Sequence, residues 1–173
     1  VESIIKMVAA CRYSRSGVRD TAIFLGLLDT ACRRSEFLSL KWDDLNLLTG
    51  DVHIHNGKGN KARTVHLGKR ATKALRAWQK IAPKSDVVWT TQSGTPLSDH
   101  GLREIVRRRA LDAGIDPPGL HDFRRAALLA MLRNGADAIT VSRYAGHADV
   151  RVTLRYLAQT DDDLRAAHVR ASP

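Results

Sequence analysis

Two short runs alternate apolar and polar side chains with period two, Asp51-Val52-His53-Ile54-His55 and Arg63-Thr64-Val65-His66-Leu67, inside a chain otherwise patterned for helices. Between them lies Gly57-Lys58-Gly59-Asn60-Lys61, a glycine-rich stretch with turn chemistry. Alternation of this kind marks strands, and a turn of this composition joins two strands into a hairpin. Val87-Val88-Trp89-Thr90 reads as a third short strand. The predicted fold class is therefore mixed α+β, mainly α-helical with a small three-stranded antiparallel sheet.

The helices surround this sheet in sequence. Glu2 to Arg12 and Arg19 to Thr30 carry helical patterning, the second with Ala22, Phe24, Leu25, Leu27 and Leu28 on a broad apolar face. A short helix follows with Ser35 as its expected N-cap. Further helices are expected over Ala71 to Ile81, Ser98 or Asp99 to Ala113, and His121 to the C-cap pair Asn134-Gly135. Ala138 to Tyr144, Val150 to Leu157 and Asp161 to Arg170 complete a mostly helical second half. With 173 residues, no internal repeat and no linker-like segment, the chain is expected to form a single domain over 1–173. It starts with Val1 rather than Met, which points to an excised piece of a longer protein.

The charge balance narrows the partners. Against 18 Asp and Glu stand 28 Lys and Arg, a formal net charge of +10, which on one compact domain favours a polyanion partner over a merely solvated surface. No run of 18 apolar residues is present, so no membrane span is expected, and no signal-peptide pattern opens the chain. The two cysteines, Cys11 and Cys32, suit neither a disulfide scaffold nor a metal pair, and a reducing, cytoplasmic setting is expected.

Several residues stand in contexts that suit phosphate chemistry. His121 and Arg124 lie three apart at a helix start and share a face, although alone they also fit a basic helix surface. Arg33 and Glu36 have the same spacing and could equally be a surface ion pair. Lys58 stands between two glycines, free to swing into a cleft or simply solvated. Gly146 and Asp149, on either side of His147, break helical continuity, so Tyr156 belongs to a new helix that Asp149 caps. His53, His55 and His66 alternate along the hairpin and are read as surface residues rather than a metal site.

Taken together and in this order, Arg33, Lys58, His121, Arg124, His147 and Tyr156 resemble the tyrosine recombinase (phage integrase) family. The resemblance includes Thr30 to Leu40 as the first-arginine box, the Gly57–Lys61 turn with Arg63, His121 to Arg125, Asn134-Gly135-Ala136-Asp137, and Gly146-His147 with Tyr156 nine later. It covers essentially the whole chain. Ala31-Cys32 stands where Gly-Leu is common, Ala126 where Thr is frequent, and Ala145 where Leu is usual.

The resemblance implies the tyrosine recombinase catalytic-domain fold and a site-specific recombinase or integrase that cuts and rejoins double-stranded DNA. Tyr156 would attack the scissile phosphate to give a 3′-phosphotyrosyl intermediate and a free 5′-hydroxyl, which conserves the bond's energy without ATP. Arg33 and Arg124 would hold the non-bridging oxygens, as guanidinium forks match phosphate geometry. Lys58 would protonate the leaving oxygen, and Glu36 would support a neighbouring cation or histidine. His121 is the candidate base and His147 the candidate donor to a phosphate oxygen, with the two roles exchangeable. Side-chain cations supply the charge, so no metal or other cofactor is expected. On the helix before His121, the apolar stripe Leu102, Ile105, Val106 and Ala110 leaves Arg103, Arg107, Arg108 and Arg109 toward solvent, where the family's major-groove helix lies; a Glu104–Arg108 pair is the competing reading. Lys61, Arg63 and Arg125 are further expected DNA contacts.

The family also implies a missing N-terminal DNA-binding domain, a monomer for this piece alone, and a homotetramer on DNA joined through the C-terminal helix at Asp161 to Arg170. Two other functions share the pattern: a type IB topoisomerase-like relaxing enzyme, and a non-catalytic DNA-binding regulator. The compact Lys58 turn and the Asn134–Asp137 context argue against the first. The intact set of chemical groups argues against the second.

Overall fold

A computed structural model describes residues 2–11, 14–55, 62–147 and 149–154. Lys58, Lys61, Tyr156 and the 161–170 segment lie outside the described residues. The elements run α1 (Glu2–Ala10), α2 (Arg15–Thr30), α3 (Arg34–Leu38), a 3-10 turn (Trp42–Asp44), β1 (Leu45–Asn46), β2 (Asp51–Ile54), β3 (Arg63–His66), α4 (Lys69–Ile81), α5 (Asp99–Asp112), α6 (Leu120–Arg133), α7 (Ala138–Ala145) and α8 (Val150–Leu154). The fold is mainly helical with one antiparallel sheet of order β1-β2-β3. No described helix is long and apolar enough to cross a membrane.

Helix α2 is the spine. Ser14 caps it by accepting the Gly17 N–H at 3.1 Å, which starts the helix one turn earlier than the apolar pattern indicates. Its buried residues Ala22, Ile23, Phe24 and Leu27 face α1, α4 and α6. Phe24 stacks on Phe123 of α6 with ring centroids 5.8 Å apart. At Gly26 a Cβ would lie 3.2 Å from the Phe37 ring, so the missing side chain lets α3 approach. Phe37 in turn stacks on Trp89 at 4.6 Å.

The hairpin pairs Val52 with Val65 and Ile54 with Arg63. Val52, Ile54 and Val65 are buried, whereas His53, Thr64 and His66 on the other face are exposed. Each histidine there has a neighbour of its own: His53 meets Thr64, His55 meets Asp44 and His66 meets Asp51. Among the described residues no group of three metal-ligating side chains forms.

Three expectations need correction. The third strand is Leu45–Asn46, paired with β2, and not Val87–Thr90. Val87 and Thr90 form only isolated bridges to Lys41 and Pro96, while Val88 and Trp89 are packed into the core. Ser35 does not cap α3; Arg33 occupies the cap position, and the Glu36 carboxylate folds back onto its N–H at 2.9 Å.

Arg109 is the third. It is 7% exposed, and Asp20 of α2 receives its Nε at 2.9 Å and its Nη2 at 2.8 Å. Fully buried Asp20 also accepts Arg19 and the exposed Arg108, and Arg19 reaches the Thr90 carbonyl at 3.3 Å. A buried carboxylate needs such partners, and here they stitch α2 to α5.

Candidate active site

Arg33, at the start of α3, donates from Nη1 to Glu36 Oε1 at 2.9 Å and from Nη2 to the Gly146 carbonyl at 2.7 Å. Glu36 is buried and serves a second arginine as well. Arg63 Nη1 and Nη2 reach its two oxygens at 3.1 and 2.8 Å. Burial opposes the charge on Glu36, but the Arg63 and Arg33 hydrogen bonds outweigh it and hold the carboxyl below its usual range. Two guanidinium groups share one carboxylate, which leaves positive charge in excess.

Arg63 also ties β3 to α7 by donating from Nε to the Tyr144 carbonyl at 3.0 Å. Gly146, with φ +65, lies against its guanidinium: a Cβ there would sit 3.0 Å from Nη1 and 3.1 Å from Cζ. Glycine is needed at this point both for the left-handed backbone and for the contact. Tyr144 reinforces the junction, since its hydroxyl donates to the Asp29 carbonyl at 2.7 Å and accepts the His66 N–H at 3.0 Å.

Arg124 comes from the buried side of α6. Its Nη1 and Nη2 donate to the carbonyls of Ala31 and Ala145, both at 2.7 Å. Ala31 is left-handed, φ 47, and ends α2 so that its carbonyl faces this guanidinium. His121 stands on the first turn of the same helix and is exposed.

His147 follows the α7 cap, its N–H bonded to the Ser142 carbonyl at 3.0 Å. Its Nδ1 lies 2.7 Å from Thr153 Oγ1 on α8. Burial first, then the charges of Arg124, Arg33, Arg63 and His121, push its pKa down to about 4. The imidazole is therefore neutral near pH 7. Asp149 caps α8 as expected, accepting the Arg151 N–H at 2.9 Å.

The fold thus brings Arg33, Glu36, His121, Arg124 and His147 together from α3, α6 and the loop after α7. Arg63 joins them, but pointing inward: its side chain is 10% exposed and engaged with Glu36, which corrects its reading as a DNA contact. Arg103, Arg107 and Arg108 are exposed along α5, and Arg125 is exposed on α6. Arg107, not Arg108, is the partner of Glu104, at 3.0 Å; Arg103 pairs with Asp99. The residue that sequence reasoning missed is Thr153. Its only signal is a hydroxyl in the first turn of the helix that Asp149 opens, six residues after His147.

The sequence profile of the phage integrase family matches residues 1–163. The chain belongs to the phage integrase family. Among its members, the tyrosine recombinase XerD of Listeria monocytogenes serotype 4b (strain F2365) is 34% identical over 166 residues, which cover 91% of this chain and 56% of the relative. The tyrosine recombinase XerC of Staphylococcus carnosus (strain TM300) is 31% identical, covering 91% of this chain and 55% of the relative. The chain thus spans little more than half the length of these phage integrase relatives. Among solved structures, the XerA recombinase superposes with a TM-score of 0.85 at 25% identity, covering 99% of this chain and 64% of that one. The XerH site-specific recombinase bound to its difH substrate before cleavage gives 0.78 at 25% identity, covering 99% and 53%.

Proposed function

We propose that this chain is the catalytic domain of a site-specific DNA recombinase that cleaves and rejoins strands through a 3′-phosphotyrosyl intermediate. The observation that carries the reading is the convergence of Arg33, Arg63 and Arg124, from three separate elements, on the carbonyls of Gly146, Tyr144 and Ala145 just before His147. Glu36 offsets only part of this charge, and a phosphodiester in the act of displacement is an anion suited to the excess. Arg33 and Arg124 are pre-aligned by backbone carbonyls, so they require little reorganisation when the phosphate arrives.

On this reading Tyr156 is the nucleophile, Lys58 protonates the leaving 5′-oxygen, and His121 and His147 divide base and donor roles. Arg103, Arg107, Arg108, Arg125 and Lys61 would contact the duplex. The partner on this reading is double-stranded DNA; the similar XerH site-specific recombinase was solved bound to its difH substrate. The longer protein would add an N-terminal DNA-binding domain, assemble as a tetramer on DNA through its C-terminal helix, and work in the cytoplasm. A relaxing enzyme or an inactive regulator fits less well with relatives that are named recombinases.

The test uses a pool of nicked duplexes with randomised sequence around the nick, which trap a cleaved strand on the protein. A denaturant-stable adduct is expected, and none with Tyr156→Phe. An adduct that persists in Tyr156→Phe would show that the nucleophile lies elsewhere; no adduct at all would refute the enzyme reading.

A further inference from the structure

We infer that Thr153 is a positioning residue that donates its hydroxyl proton to His147 Nδ1, so that the ring carries its own proton on Nε2 and serves as a hydrogen-bond donor rather than a base. The inference deepens the recombinase reading and rests on it for its catalytic consequence, though not for the ring's state.

Geometry comes first. Thr153 is fully buried, with Oγ1 2.7 Å from Nδ1. A hydroxyl has one proton to give, and a buried one must place it. Thr30, another buried threonine on a helix, gives its proton to the Gly26 carbonyl one turn back at 2.7 Å. Among the described residues the Thr153 hydroxyl meets no carbonyl, and its partner is the imidazole nitrogen of His147. An acceptor at Nδ1 means a neutral ring has its hydrogen at Nε2.

Charge makes the tautomer matter. Arg33 at the start of α3, Arg63 on β3, and Arg124 and His121 on α6 all disfavour a protonated ring, while Glu36 is engaged with two of those arginines. With the cationic form suppressed, a neutral donor toward a non-bridging oxygen requires the Nε2–H tautomer.

The test has two readouts on the full chain. Nitrogen NMR of the His147 ring, without DNA, should show Nε2 protonated and Nδ1 unprotonated in the wild type and in Thr153→Ser. Thr153→Val, which cannot donate, should show the Nδ1–H form appear. In the nicked-duplex assay, Thr153→Val should slow adduct formation about ten-fold with duplex affinity unchanged, and Thr153→Ser should stay near wild type. An Nδ1–H ring in the wild type, an unaltered ring in Thr153→Val, or a Thr153→Val rate equal to wild type would overturn the inference. If the wild type itself forms no adduct, the recombinase reading fails, while the ring spectra still decide the tautomer.

Discussion

The Glu36–Arg63 pair gives a sharp quantitative expectation. Their side chains are 4% and 10% exposed, and two hydrogen bonds of 2.8 and 3.1 Å join them. Glu36 also holds the N–H and Nη1 of Arg33, both at 2.9 Å. Removing one member of a buried pair strands the other, at a cost of about 3–5 kcal/mol. Glu36→Leu should sit at about 4 kcal/mol, since it releases two arginines. Arg63→Met should cost about 3 kcal/mol, because Glu36 keeps Arg33. Simple addition would then give about 7 kcal/mol for the double variant, yet replacing both charges by apolar groups removes the buried stranded ion and leaves only the part-exposed Arg33 without its carboxylate. Its cost should fall near 4 kcal/mol, a coupling of about 3 kcal/mol. Urea unfolding of the four proteins, at matched slopes, measures each step. A double variant that costs the sum of the singles would refute the idea that the pair acts as one buried unit.

Other expectations are independent of that cycle. The His147 pKa is depressed from 6.5 to about 4, so between those values the unfolded chain binds more protons and stability falls as pH drops; above 6.5 the contribution is complete. The shift corresponds to a ceiling of about 3 kcal/mol, which solvent screening of this partly exposed ring lowers to about 1–2 kcal/mol, and His147→Gln should flatten the stability profile across that window. Gly146→Ala should cost about 1–3 kcal/mol in thermal unfolding, because its left-handed backbone and the Arg63 contact both resist a methyl group. Arg109→Ala should destabilise by about 3 kcal/mol without changing the salt dependence of duplex binding, whereas Arg125→Ala should lower that slope by about one and leave stability near wild type.

The hairpin and the long helices were legible because their signals are local. Alternation at Val52, Ile54 and Val65 requires no knowledge of the rest of the chain. Arg109 shows where that reading stops. It lies on the same helical stripe as Leu102, Ile105, Val106 and Ala110, so periodicity itself pointed inward. What overrode it was the usual solvent preference of arginine, since the partner that makes burial tolerable, Asp20, lies 89 residues upstream. Arg63 was misassigned for the same reason, with Glu36 27 residues away. Val87–Thr90 has strand-forming composition, but its edges meet only single residues of Lys41 and Pro96. The candidate site was legible as a set of residue types in order. Glu36 was legible as a support for a neighbouring cation, but Gly146, Ala31 and Ala145 were not, because they hold Arg33 and Arg124 through main-chain oxygens.

Those main-chain acceptors have a consequence for substitution. Every amino acid carries the same carbonyl, so point substitution at residues 31 and 145 cannot delete the acceptors that Arg124 uses. Ala31 and Ala145 each present that oxygen at 2.7 Å. What Arg124 requires there is the path of the chain. Ala31 has a left-handed φ of 47 and both residues are fully buried, so a bulkier side chain would reach the guanidinium only by displacing that path.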